Sequence, residues 1–332
     1  MVSAMRIVLL DSFATDQGDT RWPDLRALGE LESHPRTQPG QVIERCLGAE
    51  AVLTNKVVLS AGTIAALPDL RYIGLTSTGT NVVDLEAARA RGIAVTNVPA
   101  YSTASVAQLV FAMILHFACR AGEHDAAVKS GRWAAGPDFC FFLAPLAELA
   151  GKTLVVLGRG AIGQAVARIA DAFGMQVIAA AVPGSPSKNR VPLDQALPAA
   201  DVVSLHCPLT PATRKMVSRR FLARLKPGAF LINTSRGPLV DEEALRETLA
   251  AGRLGGVGLD VLEREPPLPD DPLLDPRAPW ANRLLVTPHL GWGTVEARRR
   301  LAAEVAKNLA AFQAGQRRNR VDGVDTATSA RK

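Results

Sequence analysis

The feature that most constrains this chain is a glycine-rich turn between an apolar run and an amphipathic stretch. Leu154–Leu157 predicts a buried strand, Gly158, Gly160 and Gly163 follow at GxGxxG spacing, and Gln164–Phe173 predicts a helix with one apolar face. In this context the glycines let the backbone turn tightly and approach a pyrophosphate, to which the helix N-terminus offers free N–H groups. An ordinary glycine turn in a βα unit leaves the third glycine unexplained. The segment therefore predicts a dinucleotide-binding site.

Length and composition indicate a large α/β protein without a nucleic-acid partner. The chain has 332 residues, of which 48% are hydrophobic, enough for two domain cores. The net charge of +6 arises partly from a basic C-terminal stretch, and the sequence has no long basic block and no basic stretch interleaved with aromatics. Such a charge pattern favours solubility and mild attraction to anionic substrates over nucleic-acid binding.

The cysteines and the apolar stretches bear on location. The sequence has four cysteines and no CxxC pair, which is typical of reduced thiols in the cytoplasm and predicts no metal site. The first residues show no signal-peptide pattern, and the longest apolar stretch, Val106–Cys119, is interrupted by Gln108 and His116. We therefore expect a cytoplasmic protein with no membrane span.

Strand-like and helix-like segments alternate along the chain. In the N-terminal third, helices are predicted over Ser60–Leu67 and Val83–Arg91, and the apolar runs are Met5–Leu10, Ala51–Thr54, Tyr72–Leu75 and Ala94–Thr96. A second series extends from Lys152 to about Gly291. Its predicted strands are Leu154–Leu157, Gln176–Ala180, Val202–Leu205, Phe230–Asn233, Gly256–Leu259 and Leu284–Thr287. This alternation implies parallel sheets with helices on both faces.

The predicted fold class is α/β, with two Rossmann-like parallel-sheet domains and the active site in the cleft between them. A helix predicted over Thr294–Gln313 returns the chain to the first domain. Residues 1–100 and 294–332 would then form a discontinuous substrate (catalytic) domain, with a tail expected to be disordered from about residue 322. Residues 101–293 would form the dinucleotide-binding domain.

Three segments that follow predicted strands carry candidate catalytic residues. Arg236, in Asn-Thr-Ser-Arg-Gly, can hold a carboxylate through two N–H···O bonds and polarise a carbonyl. His289, in Thr-Pro-His, is suited to protonate an alkoxide, because histidine titrates near neutral pH. Glu265, held by two following prolines, is its candidate carboxylate partner, and Asp260 can accept the nicotinamide amide. A purely structural role is the alternative for each, and it is the interpretation given to the other four histidines.

An apolar helix and an aromatic loop lie between the two series. The helix predicted over Ser102–Arg120 has an apolar face suited to a core or a subunit interface. The loop 136–145 carries Phe139, Phe141 and Phe142, which either shape a substrate pocket or pack across a dimer. Packing is the favoured interpretation.

Short motifs are spread along nearly the whole chain. They are Thr54-Asn-Lys56, Thr78–Asn81, Tyr101–Gln108, Gly131-Arg-Trp133, Gly158–Gly163, His206–Thr210, Asn233–Gly237, Gly258–Val261, Glu265-Pro266 and Thr287–Trp292. In these motifs and their order the chain resembles the D-isomer-specific 2-hydroxyacid dehydrogenases. It is most similar to their glycerate dehydrogenase (hydroxypyruvate reductase) branch.

The resemblance implies a role for each matching residue. Arg236 would bind the substrate carboxylate and carbonyl, His289 would be the acid/base, and Glu265 its partner. The implied substrate-binding residues are Lys56, Thr78, Gly79 and Arg236. The implied cofactor-binding residues are Gly158, Arg159, Gly160, Ala161, Ile162, Gly163, Cys207, Pro208, Thr213, Thr234, Ser235, Arg236, Asp260 and His289. Family members are usually dimers, so a homodimer joined through the nucleotide-binding domains is expected.

One position departs from the family pattern. The second strand of a nucleotide-binding fold normally ends in an acidic residue that takes the ribose hydroxyls, and here Ala181 stands there. Without that carboxylate nothing repels a 2′-phosphate. The loop that follows either binds such a phosphate or is simply solvated. Its candidate ligands are Ser185, Ser187, Lys188 and Arg190. The cofactor is therefore NAD or NADP, with both open.

The expected activity is NAD(P)-dependent reduction of a small 2-keto acid, hydroxypyruvate or glyoxylate, to a D-2-hydroxy acid. One alternative keeps the fold and oxidises phosphite or another small anion. Formate is disfavoured, because the formate dehydrogenase relatives carry Gln where this chain has Glu265. The other alternative is a non-catalytic nucleotide-sensing protein like the corepressor relatives, which the absence of long interaction tails disfavours.

Overall fold

In the computed structural model, which describes residues 4–20, 22–185 and 189–323, the chain divides into two compact units. Unit 1 comprises Met1–Ser102 and Trp292–Lys332, and unit 2 comprises Thr103–Gly291. Ser187 and Lys188, two of the candidate phosphate ligands, lie outside the described residues. The chain from residue 324 onward, which is most of the predicted tail, also lies outside them.

The described part of unit 1 is built on a parallel sheet. Its strands are β1 (Arg6–Leu9), β2 (Glu30–Ser33), β3 (Ala51–Thr54), β4 (Tyr72–Leu75) and β5 (Ala94–Thr96), in the order β2-β1-β3-β4-β5. Its helices are α1 (Pro23–Arg26), α2 (Val42–Cys46), α3 (Ala61–Ala65), α4 (Leu85–Ala90) and α11 (Val295–Gln313), with 3-10 turns at Ser12–Ala14 and Pro39–Gln41.

Both faces of the unit 1 sheet are buried. Successive strand side chains point to opposite faces, so Ile7 and Leu9 pack with Leu301 of α11, whereas Val8 packs with Ile64 of α3. The apolar runs that predicted β3, β4 and β5 are these doubly buried strands.

Strand β2 was not predicted from the sequence. Its residues, Glu-Leu-Glu-Ser, alternate between exposed and half-exposed positions, because β2 forms the edge of the sheet and pairs only with β1 among the described strands. A polar edge strand lacks the apolar run that identifies a buried parallel strand.

Unit 2 contains a larger parallel sheet. Its described strands are β6 (Thr153–Leu157), β7 (Gln176–Ala180), β8 (Val202–Leu205), β9 (Phe230–Asn233), β10 (Gly256–Leu259) and β11 (Leu284–Val286), in the order β11-β10-β9-β8-β6-β7. Its helices are α5 (Thr103–Cys119), α6 (Ala121–Lys129), α7 (Ala161–Ala172), α8 (Leu193–Ala196), α9 (Arg219–Leu222) and α10 (Glu242–Ala250). Further 3-10 turns occur at Leu197–Ala199, Gly237–Leu239, Pro272–Leu274 and Ala281–Arg283. The predicted fold class of two parallel-sheet α/β domains is confirmed.

Helix α5 packs closely on the unit 2 sheet. A Cβ at Gly256 would lie 2.3 Å from Cγ of Phe117, and one at Gly258 would lie 2.8 Å from Sδ of Met113. The two glycines of β10 therefore leave the space that the apolar face of α5 fills. Within the described residues no single helix is long and apolar enough to cross a membrane, although α5 and α6 together, bent by 55°, meet that length and composition.

Candidate active site

The glycine turn between β6 and α7 has a separate physical reason for each glycine. Gly158 has φ = +101°, and a Cβ there would lie 2.4 Å from the carbonyl oxygen of His206. A Cβ at Gly163 would lie 2.0 Å from the carbonyl oxygen of Gly158, so only glycine lets α7 pack against the turn. Around Gly160, by contrast, a Cβ would meet nothing within 4 Å. Gly160 therefore faces open space, as a ligand-binding position requires.

The start of α7 fits a pyrophosphate. Gly160 is the N-cap residue and provides no side-chain hydrogen bond, so the N–H groups of the first turn, at Ala161 and Ile162, have no side-chain cap. Arg159 is exposed beside them, and no hydrogen bond or acidic partner of its guanidinium is found among the described residues. These donors suit the phosphates of a dinucleotide.

The loop after β8 and the loop after β9 are tied together. Ser235 Oγ donates a hydrogen bond of 2.6 Å to the carbonyl oxygen of Cys207, and Thr213 Oγ1 donates one of 2.8 Å to that of Pro208. Burial raises the pKa of Cys207 to about 11, so its thiol is not a nucleophile at neutral pH. Thr234 Oγ1 is buried without a partner among the described residues, which leaves one hydroxyl for a ligand.

The end of β7 carries no carboxylate. Val191 forms a parallel bridge with Ala180, and the N–H of Ala181 donates a 2.8 Å hydrogen bond to the carbonyl oxygen of Val191. Arg190 immediately precedes Val191 in the chain, and no hydrogen bond or acidic partner of its guanidinium is found among the described residues.

Arg236 stands immediately beyond the β9 strand on a segment with little freedom. Its carbonyl oxygen accepts a 2.9 Å hydrogen bond from Asn233 Nδ2, and its Nη1 donates one of 2.7 Å to the carbonyl oxygen of Ser235. A Cβ at Gly237 would lie 1.9 Å from the backbone of Leu262, so the segment packs against the chain that leads to Glu265. Among the described residues no carboxylate pairs with the half-buried guanidinium, which leaves it donors for an anionic ligand.

Glu265 and His289 are in direct contact. Nδ1 of His289 lies 2.7 Å from Oε2 of Glu265, and Oε1 of the same carboxylate accepts a 3.0 Å hydrogen bond from the N–H of Leu262. About a quarter of the histidine side chain is exposed (26%), so the ring remains reachable by a ligand. The carboxylate on Nδ1 fixes the ring orientation and leaves Nε2 for exchange of a proton.

Asp260 organises the segment that carries His289. Its Oδ1 accepts hydrogen bonds from Thr287 Oγ1 (2.6 Å) and from the N–H of Leu290 (2.9 Å), and its Oδ2 accepts one from the N–H of Gly291 (2.9 Å). Burial raises the pKa of this carboxyl, against the opposing effect of the hydrogen bonds. His289 itself has φ = +53°, a backbone conformation that the clamped segment maintains. Sequence reasoning did not foresee this clamp.

The candidate substrate residues of unit 1 lie on the loops after β3 and β4. Thr78 Oγ1 donates a hydrogen bond of 2.8 Å to the carbonyl oxygen of Val98, so its side chain anchors the loop while its N–H group belongs to the exposed turn. Gly79 accepts a 2.8 Å hydrogen bond from Ser77 Oγ at its carbonyl oxygen. Lys56 is exposed on the neighbouring turn, whose backbone N–H groups donate to Asp11, a residue that sequence reasoning also missed.

Two of the three aromatic side chains of the loop 136–145 do not pack inside unit 2. Phe139 and Phe142 are 89% and 67% exposed, whereas Phe141 stacks near the His124 ring and under the guanidinium of Arg132. The loop thus exposes the apolar side chains of Phe139 and Phe142 on the surface of unit 2.

Comparisons with known proteins show which proteins the chain is similar to. Residues 111–291 match the family model described as D-isomer specific 2-hydroxyacid dehydrogenase, NAD binding domain. The chain is 39% identical to a hydroxypyruvate reductase of Blautia hydrogenotrophica, over 94% of this chain and 98% of that protein. It is 40% identical to a glycerate dehydrogenase of Methylorubrum extorquens, over 86% and 89% respectively. Among solved structures it is similar to the TT0316 protein from Thermus thermophilus, with a TM-score of 0.82, 36% identity, and coverage of 96% of this chain and 100% of that one.

Proposed function

Because this chain belongs to the D-isomer specific 2-hydroxyacid dehydrogenase family and binds a nicotinamide cofactor as that family does, we propose that it reduces hydroxypyruvate or glyoxylate with NADH or NADPH. The contact of 2.7 Å between His289 Nδ1 and Glu265 Oε2 carries the proposal, since it supplies an oriented proton donor of the kind that keto-acid reduction needs. The names of the similar proteins, a hydroxypyruvate reductase and a glycerate dehydrogenase, favour hydroxypyruvate first.

In the proposed reaction, His289 delivers the proton. Glu265 holds Nδ1, so the protonated ring presents its second N–H, at Nε2, to the alkoxide that forms from the keto oxygen. In the direction of oxidation the same Nε2 removes the proton from the hydroxy acid. When bound, the nicotinamide cofactor supplies or accepts the hydride. Asp260, which clamps the 287–291 segment, keeps the ring at its place.

Arg236 and the loops of unit 1 would bind the substrate. The Arg236 guanidinium, which has no acidic partner among the described residues, offers N–H groups to the carboxylate and polarises the keto oxygen. The backbone N–H groups around Thr78 and Gly79 would receive the carboxylate, and the Lys56 ammonium would add positive charge. Each of these groups is a hydrogen-bond donor or carries positive charge, which suits the carboxylate of a 2-keto acid.

We propose that the site accepts NADPH as well as NADH. Ala181 places no negative charge at the end of β7, so its side chain neither repels a 2′-phosphate nor binds the ribose hydroxyls of NAD. Arg190, which precedes Val191 on the returning segment that bridges Ala180, would pair with such a phosphate.

We also propose a cytoplasmic homodimer that is joined through unit 2 and binds neither nucleic acid nor membranes. Large apolar side chains that are at least 39% exposed gather between residues 128 and 146 of that unit, namely Val128, Trp133, Phe139, Phe142 and Leu146. Covering this surface with a second copy would remove it from water. Sedimentation of the protein as a monomer at micromolar concentration would contradict the dimer.

Initial rates of NADH and NADPH oxidation with hydroxypyruvate, glyoxylate and pyruvate test the activity. We expect hydroxypyruvate to be reduced fastest, and Arg236→Ala to lower kcat/KM by about 100-fold, because the substrate carboxylate loses a bidentate partner. Arg277→Ala is the matched control, since Arg277 is an exposed arginine of the same unit that pairs only with Asp275 among the described residues. Its rates should equal those of the unaltered protein.

Two results would overturn the proposal. Arg236→Ala turnover within a few-fold of the unaltered rate would show that this arginine does not bind the substrate. Cofactor binding without reduction of any keto acid would instead favour oxidation of phosphite or a nucleotide-sensing role.

A further inference from the structure

We infer that Asp11, which lies outside every motif that predicted the site, is a positioning residue that builds the substrate-carboxylate cradle of unit 1. The inference rests on the proposed function, because it assumes that the turn carrying Lys56 binds a 2-keto acid. It assigns to Asp11 no contact with the substrate itself. Asp11 acts through the backbone that it holds.

The Asp11 carboxylate accepts hydrogen bonds from the backbone N–H groups of all three residues of that turn. Oδ1 lies 2.8 Å from the N–H nitrogen of Asn55, and Oδ2 lies 2.5 Å from that of Lys56 and 3.1 Å from that of Val57. Three donors on one carboxylate fix the direction of three successive peptide units, which a single cap could not do. The turn therefore has one conformation, and the stem of Lys56 starts from a fixed point.

The same arrangement extends to the second substrate loop. Asn55 is almost fully buried (5% exposed), and its Nδ2 donates a 2.6 Å hydrogen bond to the carbonyl oxygen of Thr76. Thr76 immediately precedes the turn that contains Thr78 and Gly79. Asp11 thus sets the position of Asn55, and Asn55 sets the start of the loop whose N–H groups would receive the carboxylate.

Charge explains why an acidic side chain occurs beside a site for an anion. An unpaired carboxylate there would repel a keto acid. Because Asp11 receives three N–H donors, its charge is balanced by the peptide dipoles of the turn. An amide in its place would offer one acceptor oxygen and one NH₂ group, and the NH₂ group would face the backbone donors and displace them.

The experiment compares Asp11→Asn with the unaltered protein in steady-state kinetics and cofactor binding. We expect KM for hydroxypyruvate to rise about tenfold or more, kcat to change less than about threefold, and Kd for NADH, which binds through unit 2, to stay within about twofold. Asp84→Asn is the matched control, because Asp84 also lies in unit 1 and its carboxylate caps α4 through the N–H of Ala87, with no other hydrogen bond to that carboxylate among the described residues. Its KM should not change.

The outcomes separate the inference from the proposed function. If the unaltered protein reduces no keto acid, the proposed function is wrong and the inference falls with it. If the unaltered protein is active and Asp11→Asn has an unaltered KM, or if kcat, KM and cofactor Kd all worsen together, Asp11 is merely structural. Should Asp11→Asn fail to fold, Asp11→Glu, which keeps the charge and displaces both oxygens by one methylene, carries the same test through the same change in KM.

Discussion

Asp11 in unit 1 and Asp260 in unit 2 each accept three hydrogen bonds from a neighbouring segment, yet they hold different things. Asp260 is 2% exposed and holds one hydroxyl and two N–H groups around His289, whose backbone is left-handed. Asp11 is half-buried, and among the described residues its carboxylate accepts from backbone N–H groups alone. The buried clamp orients one titratable side chain, whereas the half-buried clamp orients peptide groups. The comparison teaches that one arrangement, a carboxylate with three hydrogen-bond donors, can position either a side chain or a run of peptide groups.

Replacing His289, which the Asp260 clamp orients, should have the largest effect on activity. His289→Asn should lower kcat for hydroxypyruvate about 1,000-fold, because the general acid is lost. Asparagine tolerates the left-handed backbone, so the segment should keep its shape. Steady-state kinetics check this, with His116→Asn on α5 as the control. A loss below about tenfold would mean that water or another group protonates the product. The Asp260 clamp would then not orient the general acid, and the comparison of the two aspartates would be wrong.

Loosening the buried clamp should have a smaller effect. In Asp260→Asn an NH₂ group replaces one of the two carboxylate oxygens. Depending on its orientation, the variant loses either the acceptor of Thr287 and Leu290 or the acceptor of Gly291. The 287–291 segment should then shift, and kcat should fall about 30-fold. Unlike the change expected for Asp11→Asn, this loss should appear in kcat more than in KM. The control is Asp241→Asn, which only weakens the cap of α10. If Asp260→Asn raised KM and left kcat unchanged, the two aspartates would not differ in the kinetic step that they support.

The smallest expected effect is a decrease in the free energy of unfolding at acidic pH, caused by a buried histidine of unit 2. Burial lowers the pKa of His206 in unit 2 from 6.5 to about 4. Between these values the unfolded chain binds a proton that the folded chain does not, so stability is full above pH 6.5 and falls as the pH decreases towards 4. From about pH 7 to about pH 5.5 the loss should be about 1 kcal/mol.

Urea unfolding of the unaltered protein and of His206→Asn at both pH values measures that loss. The variant should lose less stability on acidification by this amount, since asparagine does not titrate. If both proteins lost the same stability on acidification, the His206 ring would be solvated in the folded state. His206 would then not cause the loss of stability.

The sequence predicts the parts of this molecule in which burial determines the pattern. Strands β8, β9 and β10 have the bounds that their apolar runs predict, because parallel strands covered on both faces are largely apolar. The glycine spacing likewise predicts the turn before α7, since no other residue fits beside His206 and within the turn. Edge strand β2 has no such pattern and was missed.

The two clamps show what sequence reasoning could not reach. Asp11 and Lys56 lie 45 positions apart and meet only because β1 and β3 pair side by side. The only signal in the sequence is an aspartate after an apolar run, which is also common in ordinary turns. For Asp260 the strand end was recognised, but the contacts with Leu290 and Gly291 depend on backbone N–H groups, which no residue type indicates. The catalytic roles of Arg236, Glu265 and His289 stay predictions.

The position of α11 has a consequence for synthesis. Its buried residues Leu301 and Leu309 complete the core that contains Ile7 and Tyr72, and Asn308 Nδ2 donates a hydrogen bond to the carbonyl oxygen of Asn97. All of unit 2, residues 103–291, is synthesised before α11. Until α11 is made, one face of the unit 1 sheet lacks its cover, whereas unit 2 then already contains all of its own residues. Synthesis of unit 1 therefore starts before that of unit 2 and ends after it.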